Sequence, residues 1–549
     1  MTHSINFASA VFAGLLLATG VSKAEEVPPA QTPPIVQQEQ PSAQAADAPV
    51  QLSPAAEALK KALGALPAAT AEEEKSEQAA LASFYDARKF APVWFQTDGS
   101  ATTKGAALAA EIAKADEWGL SARDFALPSS LEKREGTASA ANFAPEEIKL
   151  SLTLLKYGRY ARGGRIQDPS EQLSSYLDRK PQLLKPETIL DGAAAAEDEG
   201  AYLRSLHPQH PQFEKLRQKY LALLEAHKQR SAEGKKLLAN MEEWRWMPAD
   251  MGAIYIWNNI PEYTQRVVKD GKVIREVRIV AGLIDKQTPV FSRPLRKVTF
   301  KPTWIVPDSV KVNEILPSLL KDGHVMREYG LQVSKDGNPV DWRRIDWTVE
   351  DIRTYDITQP YQPMSVMGKF KFSFPNQHTV FMHDALPREK WMFNQAQRTY
   401  SHGCMRVGNP MQLAEIILRE DQGWDAKRVE DAVNNGPLNN EISLEHKIPV
   451  HITYFTAMVG DDGKLRTFSD VYGHEKRITQ ALEGKWDQIH KGRNHLAPVE
   501  LASQNRQHYA RDEPRDRDWH RPWRGGGWDF MEPDDRGYDR YSYRGYGGY

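Results

Sequence analysis

The first half of the chain carries apolar residues at helical spacing. Ile148, Leu152 and Leu155 are three or four residues apart, so they would line one face of a helix. The same spacing recurs between Leu237 and Trp244, near the end of this region. Such stripes usually face a core rather than a ligand. The pattern therefore predicts a helical domain, which we place at residues 51–248.

The pattern changes at Gly252, where helical spacing gives way to short alternating segments. These segments predict strands at Ala253–Trp257, Gln265–Val268, Val273–Val280, Lys297–Thr303, Lys369–Phe374, Thr379–His383 and Val450–Tyr454. Asp270-Gly271 separates two of them, and this dipeptide favours a two-residue hairpin. We therefore expect a β-rich domain of antiparallel or mixed sheets at residues 252–485. With the helical domain, this gives an α+β multidomain fold.

Residues 308–363 interrupt the strand pattern of the second domain. A helix is predicted over Ser309–Leu320, where Val310, Ile315 and Leu319 lie close to one face. A long polar connection with scattered aromatic residues follows. Because a connection of this length inside a compact domain is usually functional, we interpret the insertion as a lid over a functional cleft. A merely decorative insertion is the alternative.

The N-terminus has the pattern of an export signal followed by a tether. Phe7–Gly20 is apolar but too short to span a bilayer as a mature helix, and small residues follow at Ser22–Ala24. We therefore predict a cleaved signal peptide at residues 1–24. Residues 25–50 are rich in Pro, Gln and Ala and predict a disordered linker. Order is expected from Ser53–Pro54, a helix cap followed by proline in the first turn.

The C-terminal tail, residues 490–549, is dominated by Arg, Asp, Tyr, Trp and Gly and shows no periodicity, so we expect it to be disordered. Acidic residues offset the basic ones in the tail, and the whole chain has a formal net charge of −2. This balance gives no reason to expect a nucleic-acid partner. Apart from the N-terminal signal, no segment predicts a transmembrane helix.

Cys404 is the only cysteine among 549 residues. In an exported protein structural cysteines come in pairs, so a single one is a candidate reactive thiol. Most lone cysteines are small buried hydrophobes, but the polar neighbours Ser401, His402 and Arg406 make a poor core strand. Gly403 would let the chain turn tightly and direct the amides of Gly403 and Cys404 at a developing oxyanion. The stretch predicts nucleophilic acyl transfer.

Two histidines could take the proton from this thiol. His383 lies on a separate predicted strand, from which its imidazole can face the sulfur, whereas His402 is two positions from Cys404 on the same chain. We therefore predict His383 as the base. Asp384 could orient the imidazole as the third member of a triad. A zinc site that adds His378 to these groups is the competing hypothesis, but the spacing matches no zinc motif.

The residues around the thiol resemble a known active-site signature. Val380–Asp384, a spacer of sixteen residues and Ser401–Val407 look like the signature of the L,D-transpeptidases with a YkuD-type catalytic domain. Further stretches follow in the order expected of the large subgroup with an N-terminal scaffold domain, the YcbB-like enzymes: Thr288–Phe291, Trp304–Pro307, Gly368–Phe372, Phe374–Asn376 and Asp470–Gly473. The resemblance covers about residues 75–485.

The resemblance implies a cross-linking reaction on peptidoglycan that uses neither cofactor nor metal. Cys404 would attack the carbonyl after the third residue of a tetrapeptide stem, D-alanine would leave, and the acyl group would pass to an amine. His383 is the base in this family, where a backbone carbonyl takes the orienting role that Asp384 would have in a triad. The acceptor stays open between another stem, a D-amino acid, water and an envelope protein such as one of the outer membrane. With the signal peptide, the family implies a periplasmic location.

The resemblance also implies how a stem would be recognised. His402 and Ser401 would shape the donor pocket, while Arg406 and Arg398 could meet stem carboxylates, since guanidinium binds carboxylate bidentately. For Arg398, a solvated loop charge is the alternative. This chain has Ser365–Gly368 where the family has an asparagine and a small residue before the glycine, so donor selectivity stays open. Many relatives carry a small peptidoglycan-binding module for which this sequence leaves no room. An L,D-carboxypeptidase-type hydrolase at the same site and a non-catalytic peptidoglycan-binding wall protein remain alternatives.

Overall fold

The computed structural model describes residues 52–132 and 143–501. The predicted signal peptide, the linker and residues 502–549 of the predicted tail lie outside the described residues. A helical region is followed by a β-rich region that carries an inserted small sheet, which confirms the expected α+β multidomain class. Within the described ranges, no helix is both long enough and apolar enough to cross a membrane.

Helices make up the N-terminal region and flank the β-rich region. In chain order they are α1 (Pro54–Gly64), α2 (Glu72–Asp86), α3 (Thr103–Ile112), α4 (Ser129–Glu132), α5 (Phe143–Gly163), α6 (Pro169–Gln172), α7 (Pro186–Ala195), α8 (Glu199–Ser205), α9 (Pro211–Glu225), α10 (Ala232–Arg245), α11 (Asp308–Val310), α12 (Leu316–Lys321), α13 (His324–Glu328), α14 (Pro410–Gln422), α15 (Ala426–Asn434) and α16 (His474–Leu482). Ser53 caps α1 by accepting the Ala56 N–H at 3.2 Å, as predicted.

The apolar stripes read from the sequence face the core. Ile148 and Leu155 on α5 are buried, as are Leu237, Met241 and Trp244 on α10. The helical region is more broken than the spacing predicts, because irregular chain occupies residues 173–185 between α6 and α7.

Buried contacts join the helical region to the β-rich region. The guanidinium of Arg179 is buried and donates to the main-chain oxygens of Ile452 at 2.6 Å and Phe291 at 3.3 Å. Leu177 forms an isolated parallel bridge with Val290. The helical region is thereby anchored on the β-rich region.

The strands are, in chain order, β1 (Ile254–Asn259), β2 (Thr264–Lys269), β3 (Lys272–Gly282), β4 (Ser292–Phe300), β5 (Trp304–Ile305), β6 (Gln332–Lys335), β7 (Asn338–Val340), β8 (Asp356–Gln359), β9 (Phe370–Ser373), β10 (Met382–His383), β11 (Thr399–Ser401), β12 (Met405–Val407), β13 (Asn440–Thr453), β14 (Ala457–Val459) and β15 (Leu465–Thr467). Nine of them form one mixed sheet in the order β11-β3-β12-β10-β9-β4-β13-β1-β2. Because β2 also pairs with β3, eight of the nine strands close into a barrel.

The strands of the barrel confirm one prediction from the sequence pattern and correct another. Asp270 and Gly271 both have positive φ, 48° and 74°, and they join Lys269 to its partner Lys272 as the predicted two-residue hairpin. The strand predicted at Thr379–His383 is much shorter, however, and begins only at Met382. The reason is local, because Thr379 has φ of 54° and belongs to a turn rather than to extended chain.

The insertion is a folded unit of its own rather than the polar connection expected after its first helix. The helix runs from α11 through a π-helical turn, Lys311–Ile315, into α12, and α13 follows. Strands β5, β8, β6 and β7 then form a separate four-stranded sheet. Its apolar side chains, including Ile315, Ile352 and Ile357, make a cluster distinct from the barrel core. Leu319 is partly buried against the same cluster.

Residues 490–501, which composition assigns to the tail, pack on the fold. The ring of His495 stacks on Tyr176 with centroids 3.8 Å apart, and its Nε2 lies 2.7 Å from Nδ1 of His378. Leu501 packs against the apolar cluster of the insertion. Ring stacking therefore holds this segment without the helical or alternating pattern that sequence analysis relies on.

Candidate active site

Three neighbouring strands place the predicted base and nucleophile on one face of the barrel. Lys371 on β9 pairs with His383 on β10, and His383 pairs in parallel with Arg406 on β12. Residues two apart share a face of a strand. The pairing of β10 with β12 extends to Phe381, the residue before β10, because the Met405 N–H donates to the Phe381 oxygen at 3.1 Å. Cys404, two residues before Arg406, is therefore diagonal to His383 across adjacent strands, close enough for the side chains to meet.

A sharp turn precedes Cys404. Gly403 has φ of +104°, a conformation that glycine adopts without strain. Its carbonyl accepts from Thr288 Oγ1 at 2.8 Å, and Thr288 Oγ1 in turn accepts from the Gly282 N–H at 2.8 Å. The turn that presents the thiol is thus fixed to the end of β3.

Only part of the predicted oxyanion hole is open. The Gly403 N–H donates to Ser401 Oγ at 3.3 Å, and the Ser401 hydroxyl donates to the Cys404 oxygen at 2.5 Å. Ser401 is buried and supports the turn instead of lining a pocket. Across the described ranges the Cys404 N–H meets no acceptor, so it is the amide that can receive an oxyanion.

The surroundings keep both reactive groups neutral. Burial raises the pKa of Cys404 to about 11, although the Phe381 amide and the cations Arg406 and Lys371 act in the opposite direction. Burial, together with the same two cations, lowers the pKa of His383 to about 3. At neutral pH the resting pair is therefore a thiol beside a neutral imidazole, which can act as a base without first losing a proton.

The Asp384 carboxylate is not the third member of a triad. Its oxygens accept from the main-chain N–H groups of Lys369 at 3.0 Å and Ala385 at 2.7 Å. Adjacent residues point to opposite faces of a strand, so Asp384 lies away from His383. Interactions with the main chain of Asp384 and Met367 are what favour the charged form of His383.

Gly368 leaves room for the side chain of Asp384. It has φ of +59°, and a Cβ there would lie 2.5 Å from Cβ of Asp384. Only glycine fits this position without moving the carboxylate that fixes the chain before β9.

Arg406 is already engaged inside the protein. Its Nε lies 3.1 Å from Glu389 Oε2, and the guanidinium is buried. Nη1 donates to the Tyr400 oxygen at 3.4 Å. The ion pair with Glu389 is a contact inside the protein that the sequence did not indicate.

Arg398 is likewise committed to the chain. Its Nη1 donates to the Gln395 oxygen at 2.7 Å, and its Nη2 lies 3.4 and 3.3 Å from the oxygens of Glu262 and Tyr263. Its guanidinium also covers the Tyr263 ring, 5.0 Å from the centroid. These contacts tie the loop before β11 to the barrel.

His402 connects the catalytic motif to the insertion. Its Nε2 lies 2.7 Å from Oε1 of Glu314, in the π-helical turn, and Lys286 Nζ reaches the same oxygen at 2.8 Å. The insertion therefore touches the loop that carries the nucleophile. His378, the further histidine of the zinc hypothesis, is held elsewhere, with its Nε2 3.0 Å from Asp178.

Sequence reasoning missed three charged residues of the site: Lys371, Glu389 and Glu314. The alternation of Lys369 to Ser373 placed Lys371 on one face of a strand, so its approach to His383 could have been found once the strand order was known. Glu314 is 88 residues from His402, and no local pattern signals their contact.

The barrel brings together a thiol, an imidazole on an adjacent strand and a glycine turn, which are the groups that acyl transfer by a cysteine requires. Comparison with known proteins identifies the family. Residues 79–219 match the family model of a scaffold domain, and residues 253–432 match that of the L,D-transpeptidase catalytic domain, YkuD. The chain belongs to the L,D-transpeptidases that combine these two domains.

Individual relatives agree with this assignment. A protein of Haemophilus influenzae (strain Rd), whose name assigns it provisionally as an L,D-transpeptidase, is 28% identical over 420 residues, 75% of this chain and 81% of that protein. An L,D-transpeptidase from Mycobacterium smegmatis is 11% identical over 37% of this chain and 58% of its own, with a TM-score of 0.17. The structure of the Ldtfm-avibactam carbamoyl enzyme is 14% identical over 37% and 50%, with a TM-score of 0.18. At these scores the two structures carry no argument about this fold.

Proposed function

We propose that this chain is an L,D-transpeptidase of peptidoglycan in which Cys404 is the nucleophile and His383 the base. The observation that carries the proposal is the placement of these two side chains on one face of adjacent parallel strands, inside the residues that match the catalytic domain. The neutral imidazole and the open Cys404 amide supply the two remaining requirements of acyl transfer.

Acylation follows from the geometry. His383 takes the thiol proton as the sulfur of Cys404 attacks the carbonyl after the third residue of a tetrapeptide stem. The carbonyl oxygen becomes an oxyanion facing the Cys404 N–H. When the C–N bond breaks, His383 returns the proton to the leaving D-alanine, and a thioester remains.

Transfer reverses these roles. An amine attacks the thioester, the C–S bond breaks, and His383 passes a proton from the amine to the sulfur. The acceptor is an amine of another stem or of an outer-membrane protein. Water would make the enzyme an L,D-carboxypeptidase-type hydrolase instead, and the contact of the insertion with His402 favours transfer, because a covered thioester is protected from water.

The decisive assay is incubation of the purified enzyme with defined tetrapeptide muropeptides and candidate acceptors, followed by chromatography. We expect release of D-alanine and a 3–3 cross-linked product. The matched control is Cys404→Ala, which removes only the sulfur. Cross-linking by a folded Cys404→Ala protein would refute the assignment of the nucleophile.

We also propose a periplasmic location, supported by the apolar segment and small residues at residues 1–24. The exported chain should then begin at about Glu25. N-terminal sequencing of periplasmic material tests this, and an intact Met1 would contradict it.

A further inference from the structure

Glu314 is the contact through which the insertion reaches the catalytic loop. The residue is 7% exposed and lies in the π-helical turn Lys311–Ile315. One of its oxygens, Oε1, lies 2.7 Å from Nε2 of His402 and 2.8 Å from Nζ of Lys286, so both groups contact the same atom. A buried carboxylate with two such partners is costly to leave without them while it stays buried.

The carboxylate is ionised in this arrangement. Burial alone would raise the pKa of Glu314, but hydrogen bonds and charge from His402 and Lys286 outweigh burial and lower the pKa below its ordinary value. An ionised carboxylate only accepts hydrogen bonds, so Nε2 of His402 carries the proton in their contact. Glu314 therefore fixes the orientation of the His402 ring.

One face of this helix is polar although it is buried. Lys311, Glu314 and Ser318 repeat at helical spacing and are all less than a tenth exposed. Val310 and Ile315, in contrast, face the insertion's own apolar cluster. Glu314 is the residue of this polar face that contacts the catalytic loop, and it does so through polar contacts with His402 and Lys286. Lys311 and Ser318 bond within the insertion, to Asp308 and Val325 respectively. Since a buried ion pair contributes little beyond its desolvation, such an interface can separate while the insertion stays folded.

The two partners of Glu314 flank the turn that presents the thiol. His402 precedes Gly403 directly, and the main-chain oxygen of Gln287, next to Lys286, lies 3.4 Å from the position a Cβ would take on Gly403. Thr288, one residue further, holds the Gly403 carbonyl. Both partners of Glu314 therefore belong to chain segments that contact the turn before Cys404.

We propose that Glu314 is a positioning residue that docks the insertion on the catalytic loop and thereby decides whether the acyl-enzyme is transferred to an amine or hydrolysed. The inference rests on the proposed transpeptidase function and adds the residue that controls its outcome. In the docked state Glu314 keeps the insertion against the thioester and excludes water. When the contact is lost, the insertion separates and water enters.

The test compares Glu314→Gln with Asp308→Asn. Asp308 pairs with Lys311 at 3.0 Å on the same helix but within the insertion, so Asp308→Asn removes a carboxylate charge without touching the catalytic loop. Each protein is acylated with a carbapenem and, separately, incubated with a tetrapeptide donor and an amine acceptor. We expect Glu314→Gln to raise the ratio of hydrolysed to cross-linked product by about tenfold, the scale of one charge-assisted hydrogen bond. Asp308→Asn should leave the ratio unchanged.

Double substitution adds a readout that a general loss of stability would not produce. Because Glu314 and His402 act through one contact, Glu314→Gln combined with His402→Ser should change the product ratio no more than the larger single effect. Additive effects, or an unchanged ratio in folded Glu314→Gln, would overturn the proposal. A parallel fall in acylation and transfer would also overturn it, since Glu314 would then only support the fold.

Two controls keep the outcome decisive. If Glu314→Gln does not fold, Lys286→Met and His402→Ser each remove one partner, and at least one must raise the ratio for the proposal to stand. Failure of the proposed function has a different signature, because the wild-type protein would then show neither acylation nor transfer.

Discussion

The barrel and the insertion meet at the turn before Cys404. Each has its own apolar core, but the contact between them at this turn is polar. The barrel closes on itself around a continuous apolar core, so the strands that carry His383 and Cys404 have little freedom. The insertion has a separate apolar cluster and reaches the catalytic loop through Glu314. This difference suits the two steps of the proposed reaction. Attack by the thiol would require fixed geometry, whereas exchange of D-alanine for an acceptor would require access.

The comparison first predicts different effects for the two histidines. In the proposed mechanism His383 is held by the barrel and takes the proton of the thiol, so His383→Ala or His383→Gln should slow acylation by about 10²- to 10⁴-fold. His402 belongs to the contact with the insertion, and His402→Ser should slow this step much less. Stopped-flow fluorescence during reaction with a carbapenem measures acylation apart from acceptor choice. If His402→Ser is the slower of two folded variants, the assignment of the base is reversed.

The second prediction compares one large-to-small substitution in the core of the barrel with one in the core of the insertion. Phe372 on β9 and Ile357 on β8 are both fully buried, in the barrel and in the insertion respectively. Phe372→Ala should lower the free energy of unfolding by about 3–5 kcal/mol and disturb the catalytic strands. Ile357→Ala should destabilise the insertion while leaving acylation largely intact. Thermal unfolding and carbapenem labelling test both variants, and equal loss of acylation would mean that the two regions are one cooperative unit.

The third prediction removes the insertion's outer part. Shortening the chain between about Asp322 and Asp356 deletes α13, β6 and β7 but keeps Glu314 and the strands β5 and β8. We expect acylation of Cys404 to persist while the ratio of hydrolysed to cross-linked product rises, because the thioester is less well covered. An unchanged product ratio in a folded deletion variant would show that the insertion is not a lid.

The fourth prediction concerns pH and has the smallest expected effect. The pKa of His383 is lowered to about 3, so the imidazole loses its function as a base only when the pH falls that far. The pKa of Cys404 is raised to about 11, so the thiol ionises only when the pH rises that far. The acylation rate should therefore be nearly constant from about pH 5 to about pH 9. A rise with a midpoint near 6.5, the ordinary value for histidine, would contradict the burial of this site.

Local signals in the sequence were sufficient for some of these features. The Asp270-Gly271 turn follows from the φ values that the dipeptide favours, and the helical stripes of α5 and α10 follow from spacing. The pairing of a lone thiol with a histidine on another strand was expected on chemical grounds, and β10 and β12 are indeed neighbours. In each case the information lies within a few residues or in the chemistry of one group.

What could not be predicted depends on contacts between distant segments. The sequence does not show that β2 returns to β3 and closes the barrel, because pairing partners are chosen by tertiary packing. The partners of Arg398 and Arg406 could not be predicted for the same reason. Each appeared available for a substrate carboxylate until the structure showed its partners, main-chain oxygens for Arg398 and Glu389 for Arg406.

Covalent labelling shows whether Cys404 is the nucleophile of a thiol-dependent acyl transfer, as we propose. The protein is exposed to a carbapenem, and mass spectrometry is recorded on the intact chain and on its peptides. We expect a single adduct located on Cys404 and none on the Cys404→Ala protein. The absence of an adduct on the folded wild-type protein, or an adduct that persists in Cys404→Ala, would contradict it.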